Sequence, residues 1–325
     1  MHASIRRLAM ALLLPLLAAP AALQAQDNTR TIRLVVPFTA GGGADFMGRE
    51  IGRTMGQILG QTVVIDNKAG ASGIVGSREV AGARPDGQTL LLGTTGTHAT
   101  NFATIEGLAY HPLNDFETVA IFGNAPFLLC LNPAIPATSL GELTALAKAQ
   151  PGKLTHGSSG LGSSTHLGFE ALKSRLGIEI QHVPYKGLPN AMVDVMGGQI
   201  SMTMDSIPSV APHAKSGRVR CIATGGTSRT PVFPELPTLA EAGVPGLEIG
   251  SWYGLFAPKG TPPAVVERLS RAVREALARD DMRTSLDRVG AVAMPLNPAQ
   301  ARSYLEQDIA RWVKVAKDLN IRIQP

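Results

Sequence analysis

Twice along the chain, a short run of apolar residues ends in a glycine-rich turn that opens straight into a helical pattern. The first instance is TIRLVVPF followed by TAGGGAD at residues 31–45; the second is LTHG followed by SSGLGSSTHL at residues 154–167. A strand that is apolar on both faces needs cover on both, and a following helix supplies it in a parallel sheet. Each instance therefore reads as the opening of an α/β unit, and a length of 325 residues accommodates two such units.

The intervening sequence keeps the same order. After the first turn, Met47, Ile51, Met55, Ile58 and Leu59 recur at helical spacing over residues 46–59. A strand at 62–66, a second glycine-rich loop (KAGASGIVG), a helix over 77–83, a Pro-Asp-Gly turn at 85–87 and a strand at 89–93 follow. The pattern restarts near Glu117 with strands at 119–122, 127–132, 154–157, 180–183, 201–204 and 220–223. Helices fill the gaps at 140–149, 165–176, 190–196 and 210–215, and a further strand spans 251–258. Amphipathic helices at 263–279 and 298–319 complete the chain. The expectation is a pair of α/β units in tandem, each with a parallel sheet covered by helices.

The N-terminus has its own grammar. Arg6 and Arg7 precede an apolar run over 8–17 and a Pro/Ala-rich stretch ending at Ala25, the order of a secretory signal over residues 1–25. The run falls short of the ~20 apolar residues of a membrane span. Cleavage after Ala21 or after Ala25 both fit, and the arginine pair leaves general and twin-arginine export open. Loss of Arg6 and Arg7 lowers the formal charge from +5 to +3. That is too mild for nucleic-acid binding, and no basic cluster with interleaved aromatics is present. A content of 44% apolar and 17% charged residues excludes a disordered chain. Cys130 and Cys221 are the only cysteines, which rules out an all-cysteine zinc site and a CxxC redox centre. Both fall on expected strands of the second unit; a disulfide and two buried thiols are equally open, since strand adjacency is not readable from sequence.

Candidate chemistry concentrates in the two turns. Gly41, Gly42 and Gly43 let backbone N–H groups approach a ligand where the positive end of a helix dipole points, a setting for an anion. The plain structural alternative is a tight turn capped by Asp45. Dinucleotide binding fails on spacing, because Phe46 stands where the third glycine of GxGxxG belongs, and no Walker lysine follows. In the second turn, Gly157, Gly160 and Gly162 precede Ser163, Ser164 and Thr165, a set of neutral donors. The GxSxG elbow of a serine hydrolase is absent, because Gly160 directly follows Ser159. The histidines include no i, i+4 pair and no HExxH, so no metal site is expected. His166, on the first turn of a helix, reads as structural or capping, and Asp205, after an apolar strand, as a loop-orienting acid. Two anion-friendly loops, one per unit, describe a clamp that closes on a small ligand by hinge motion.

On these residues the chain resembles the Bug family of periplasmic solute-binding proteins, the TctC-type receptors of tripartite tricarboxylate transporters. The motifs are VPFTAGGGAD (36–45), PDGQTLLLGTTGTH (85–98), GSSGLGSSTHL (157–167), HVPYKG (182–187), MDSIPS (204–209), PELPTLAEAG (234–243) and WYGLFAPKGTP (252–262). The resemblance spans residue 32 to the C-terminus. It implies an α/β fold of the type II periplasmic binding proteins, two doubly wound domains joined by two crossovers with a cleft between them. Domain 1 would take residues 27–126 plus 248–325, and domain 2 residues 127–247. The implied ligand positions are Phe38, Thr39, Ala40, Gly41, Gly42, Gly43 and Asp45 in the first loop; Thr94 and Thr95; Ser158, Ser159, Gly160, Gly162, Ser163, Ser164, Thr165 and His166 in the second loop; and Asp205. No catalytic residue, metal or cofactor is implied. The implied partners are a small carboxylate, organic acid or amino acid, and the subunits of a membrane transporter, with the protein a periplasmic monomer.

Two departures stand out: Thr165 where the family often has proline, and AGASG at 69–73 where PGAGG is commoner. Neither removes a binding group. The lack of an arginine in either main loop implies backbone and water contacts tolerant of many acids, in place of one bidentate geometry. The alternatives are a periplasmic sensor signalling to a membrane kinase and, further off, an exported hydrolase using Ser159 or Ser163.

Overall fold

The computed structural model describes residues 31–324, so the expected signal over 1–25 lies outside the described residues. The first part runs β1 (Ile32–Val36), α1 (Gly43–Leu59), β2 (Val63–Asn67), α2 (Ile74–Ala81), β3 (Thr89–Thr94), α3 (Asn101–Thr104) and β4 (Phe116–Leu131). The next is α4 (Leu140–Ala149), β5 (Thr155–Ser158), α5 (Ser164–Leu176), β6 (Gln181–Pro184), α6 (Leu188–Met196), β7 (Met202–Ser206), α7 (Ile207–Lys215) and β8 (Arg220–Thr224). The chain returns through β9 (Gly250–Pro258), α8 (Pro263–Ala278), α9 (Asp280–Arg288), β10 (Val292–Ala293) and α10 (Pro298–Asp318).

The strands follow the order β2-β1-β3-β9-β4-β7-β5-β6, with β8 and β10 also on β4. β1 is parallel to both β2 and β3, and β5 is parallel to both β6 and β7. Between these parallel groups, β9 and β4 run antiparallel to their neighbours, so the sheet is mixed and the expectation of purely parallel sheets is corrected. Each group carries its own apolar clusters, one around Leu34, Met47 and Leu90, another around Leu129, Phe169 and Met204. The result is two lobes.

β4 belongs to both. Residues 116–126 pair with β9 (Ala125 with Ser251, Pro126 with Gly250), and residues 127–131 pair with β7 and β8. The sequence suggested two strands here because Gly123-Asn124 and Pro126 look like a turn. Gly123, Asn124 and Pro126 instead pair in register with Tyr253, Trp252 and Gly250, the register shifts falling just before them at Val119 and Phe122, so the backbone stays extended through the apparent turn. Cys130 lies opposite Cys221 on the β4–β8 ladder and the two form a disulfide, which closes the alternative left open above.

Helix placement follows from the stripes on the helices. In α1, Met47, Ile51 and Met55 are buried, while Gly48, Gly52 and Gly56 turn toward the sheet. A Cβ at Gly48 would lie 2.9 Å from Val36 Cγ2, and one at Gly56 2.7 Å from the Gln61 carbonyl oxygen. The glycine stripe lets α1 sit close on β1 and β2, which fixes where its N-terminus points. At the other end of the chain, the Trp252 indole N–H donates to Asp308 at 2.7 Å, fastening α10 to β9. α9 was not foreseen: Arg279 adopts an extended ψ of 143°, ending α8 one residue earlier than expected, and a new helix starts with Asp280 and Asp281 in its first turn. Among the described residues no helix is long and apolar enough to cross a membrane.

Candidate ligand site

The first loop leaves β1 and becomes α1 with Gly42 as the N-cap residue, and no side chain caps it. Asp45 organises the loop from inside the helix. Its carboxylate accepts from the Gly41 N–H at 3.0 Å, from Asn67 Nδ2 at 3.1 Å and from Arg49 Nε at 3.0 Å. Asn67 also donates to the Phe38 carbonyl at 3.1 Å, so β2 and α1 clamp the loop together. Burial pushes the Asp45 carboxyl up, but the bonds from Arg49, Gly41 and Asn67 outweigh it and leave it below the ordinary carboxylate value.

The second loop is held without charge. Ser158 is fully buried; its hydroxyl donates to the Gly160 carbonyl and contacts His182 Nε2 at 2.6 Å. Ser163 caps α5, accepting from the His166 N–H and donating to the Gly160 carbonyl at 2.7 Å. Thr165, where the resemblance led proline to be expected, accepts from the Ser159 N–H at 3.0 Å. Its hydroxyl thus ties the turn to the helix, a bond proline would not make. The Gly162 N–H donates to His166 Nδ1 at 3.2 Å, and the His166 ring stacks on His182 at 4.0 Å between centroids. Burial lowers His166, with Glu170 opposing, and burial with the neighbouring His166 and Lys173 lowers His182 to about 3. Both rings are neutral at neutral pH: His166 accepts at Nδ1 and, with the one Ser158 proton on the Gly160 carbonyl, His182 donates its Nε2–H to Ser158 Oγ.

Ser158 and His182 form a serine–histidine contact, yet it lacks the parts of a hydrolase. Ser158 has no exposed surface, its hydroxyl is committed to Gly160, and among the described residues no carboxylate bonds His182.

Between the loops lies a cavity of about 60 Å³, room for a few water-sized groups. Of the expected residues, Phe38, Thr39, Gly42, Gly43, Thr94, Ser159, Ser164, Thr165 and Asp205 line it. The others stand behind or beside it. Asp45, Ser158, Ser163 and His166 hold the loops, as described above. Ala40 and Gly41 face solvent, and Thr95 accepts from the Trp252 N–H at 3.1 Å. Gly160 and Gly162 meet the first lobe: a Cβ on them would lie 2.5 Å from Ser72 Oγ and 2.8 Å from Thr104 Oγ1.

Sequence reasoning missed Ala44, Phe127, Gly187, Leu188, Pro189, Ser206, Ser251 and Tyr253. For Gly187 to Pro189 a signal existed, since HVPYKGLPN is a third strand–glycine–helix passage, from β6 into α6. Ser251 and Tyr253 share one face of β9 by alternation, but which face meets the cavity depends on pairing with β3 and β4.

Four helix N-termini converge on the cavity: Gly42 to Ala44 from α1, Ser164 and Thr165 from α5, Leu188 and Pro189 from α6, and Ser206 from α7. The first N–H groups of a helix have no partner within it and carry partial positive charge. Among the described residues no lysine or arginine lines the cavity. Asp205, at the end of β7, is the one acid among the described residues that line it. It is fully buried, accepts from the Ser206 N–H at 2.6 Å and from the Ser209 hydroxyl at 2.6 Å, and is raised to about 6 by burial, which outweighs those bonds. Among the described residues no cluster of three or more metal-ligating side chains occurs.

Two α/β lobes joined through a shared strand, enclosing a cavity floored by helix N-termini, define a binding protein of the two-lobed periplasmic class. The comparisons agree. The family described as tripartite tricarboxylate transporter family receptor (TctC) matches residues 47–321. BugT of Bordetella pertussis is 35% identical over 296 residues, 91% of each chain. Among solved structures, the periplasmic binding protein BugD superposes with a TM-score of 0.87 at 32% identity, covering 91% of this chain and 99% of its own. An R. palustris protein solved with adipate gives 0.88 at 38%, covering 91% and 99%. MatC of Rhodopseudomonas palustris, with bound malate, gives 0.84 at 35%, covering 88% and 98%. The chain belongs to the TctC (Bug) family of periplasmic solute-binding proteins. These relatives are binding proteins, not enzymes.

Proposed function

We propose that this protein is exported, its leader over 1–25 removed, and that as a monomer it captures a small carboxylate between its lobes and delivers it to a tripartite tricarboxylate-type membrane transporter. The lobes in this reading are residues 27–126 plus 248–325 and residues 127–247. The observation that carries it is the convergence of four helix N-termini on a cavity with no basic side chain. Such a site favours an anion through backbone dipoles. The adipate and malate found on relatives are small dicarboxylates, and both match that preference. Backbone N–H groups of Gly42, Gly43, Ser164 and Thr165 would hold one carboxylate, with Ser159 and Thr39 hydroxyls beside it. Phe38, Phe127, Leu188 and Tyr253 would shape the space for the rest of the molecule.

The test is a thermal-shift screen of the protein lacking residues 1–25 against adipate, malate, other mono-, di- and tricarboxylates, and amino acids. At 100-fold over Kd a true ligand stabilises by ~2.7 kcal/mol, a shift of a few degrees for a chain this size. No shift with any acid at millimolar concentration overturns the reading.

A further inference from the structure

The loop between β2 and α2 carries two non-glycine residues in the left-handed region, Ala71 at φ 44° and Ser72 at φ 54°. Left-handed backbone is unfavourable for residues with a Cβ, and it persists where surroundings over-determine it. Here they do. Asn101 Nδ2 donates to the Ser72 carbonyl at 3.0 Å, the Gly73 N–H donates to the Gly70 carbonyl at 2.9 Å, and the Ser77 hydroxyl donates to the Gly73 carbonyl at 2.9 Å. The conformation aims the Ser72 side chain out of its own lobe. Its hydroxyl donates to the Leu161 carbonyl at 2.7 Å, at the tip of the second loop, and Ser72 is only 8% exposed. Gly160 leaves the notch that the hydroxyl fills, since a Cβ there would lie 2.5 Å from Ser72 Oγ.

We propose that Ser72 is a closure latch: its hydroxyl, presented by a left-handed backbone, bonds the Leu161 carbonyl only when the lobes are together and so sets how firmly the cleft holds its ligand. When the lobes part, donor and acceptor return to water. A neutral hydrogen bond that counts in one state and not the other shifts that equilibrium about two- to tenfold. The backbone strain is present in both states; it aims the hydroxyl and does not itself bias closure. The latch acts on the closed population, so it changes release more than capture.

The experiment labels exposed positions on the two lobes, Val64→Cys and Val193→Cys, with nitroxides. The native cysteines are bridged and do not compete. Distance distributions are compared for Ser72, Ser72→Ala and Ser72→Gly, without ligand and with adipate or malate. Ser72→Ala removes the hydroxyl and keeps the left-handed backbone; Ser72→Gly removes the hydroxyl and relieves the strain. Both are expected to raise the ratio of open to closed about two- to tenfold. Ser72→Gly should do so with an unchanged or higher melting temperature, which separates lost closure from damaged folding. An unchanged ratio in both variants under every condition, or a change in only one of them, overturns the latch. The affinity consequence rests on the capture reading: for whichever acid the thermal screen identifies, dissociation should quicken by the same factor at constant association rate. Should no acid bind, the capture reading fails while the ligand-free distances still decide the latch.

Discussion

The two loops that face each other across the cleft have the same plan and opposite chemistry. The first is fastened by a buried carboxylate with a guanidinium behind it, Asp45 and Arg49, and by an asparagine from the next strand. The second is fastened by serine and threonine hydroxyls and by neutral imidazoles, in the lobe that also carries the disulfide. A helix N-terminus can therefore be presented to an anion with or without a fixed charge in its support. The two supports should fail under different stresses.

The largest contrast lies in the frames around the loops. The Cys130–Cys221 bridge closes a sequence separation of 91 residues, and a loop of that length contributes about 4–5 kcal/mol in the chain-entropy picture. Replacing both cysteines by serine should lower the urea midpoint accordingly. Hydrogen exchange should place the loss in β4, β7 and β8, with the β1–β3 lobe little changed; uniform loss across both lobes would remove the contrast. Titration of the denatured, unreduced protein should return no free thiol.

Next come the glycines at the seam. At Gly43 the backbone is helical and a Cβ would lie 2.3 Å from Ser206 Oγ, so Gly43→Ala should leave the ligand-free protein at least as stable while hindering closure. At Gly160, φ is 123° and a Cβ meets Ser72, so Gly160→Ala should lower both stability and affinity. Overpacking of this kind costs about 1–3 kcal/mol, a roughly five- to hundredfold weaker Kd by calorimetry. Equal melting temperatures for the two variants would show that the second loop carries no strain of its own.

The smallest effect is in acid. The His166 and His182 values lie below 6.5 in the folded protein, so the stability that neutral rings support is present above pH 6.5 and drains as pH falls through their folded values. Asp45 lies below 3.8, so its support is kept until pH falls below 3.8. Hydrogen exchange at pH 7 and pH 5, corrected for intrinsic rates, should show peptides over 158–166 losing protection about two- to tenfold while those over 38–45 do not. Parallel loss in both loops would break the comparison.

These contrasts also mark what the sequence disclosed. The strand–glycine–helix order at 31–45 and 154–167 is local, so both loops and both parallel groups were legible from it. The antiparallel centre was not, because pairing of β4 with β9 joins residues more than a hundred positions apart and GNAP mimics a turn. The glycines were legible as points of close approach but not as to what approaches. Gly43 lines the cavity, whereas Gly160 and Gly162 make room for Ser72 and Thr104 of the facing lobe. Tyr253 and Ser251 became visible only through the register of β9.

Pro126 and Gly250 sit opposite each other on the β4–β9 ladder. Everything between them is a detour that leaves the first lobe and re-enters it at one place. Joining those two positions by a short turn would excise the detour without lengthening any remaining connection, and the detour could be made as a chain of its own with its ends already side by side. The connectivity is that of an insertion, one run of α/β elements set into the β4–β9 pair of another.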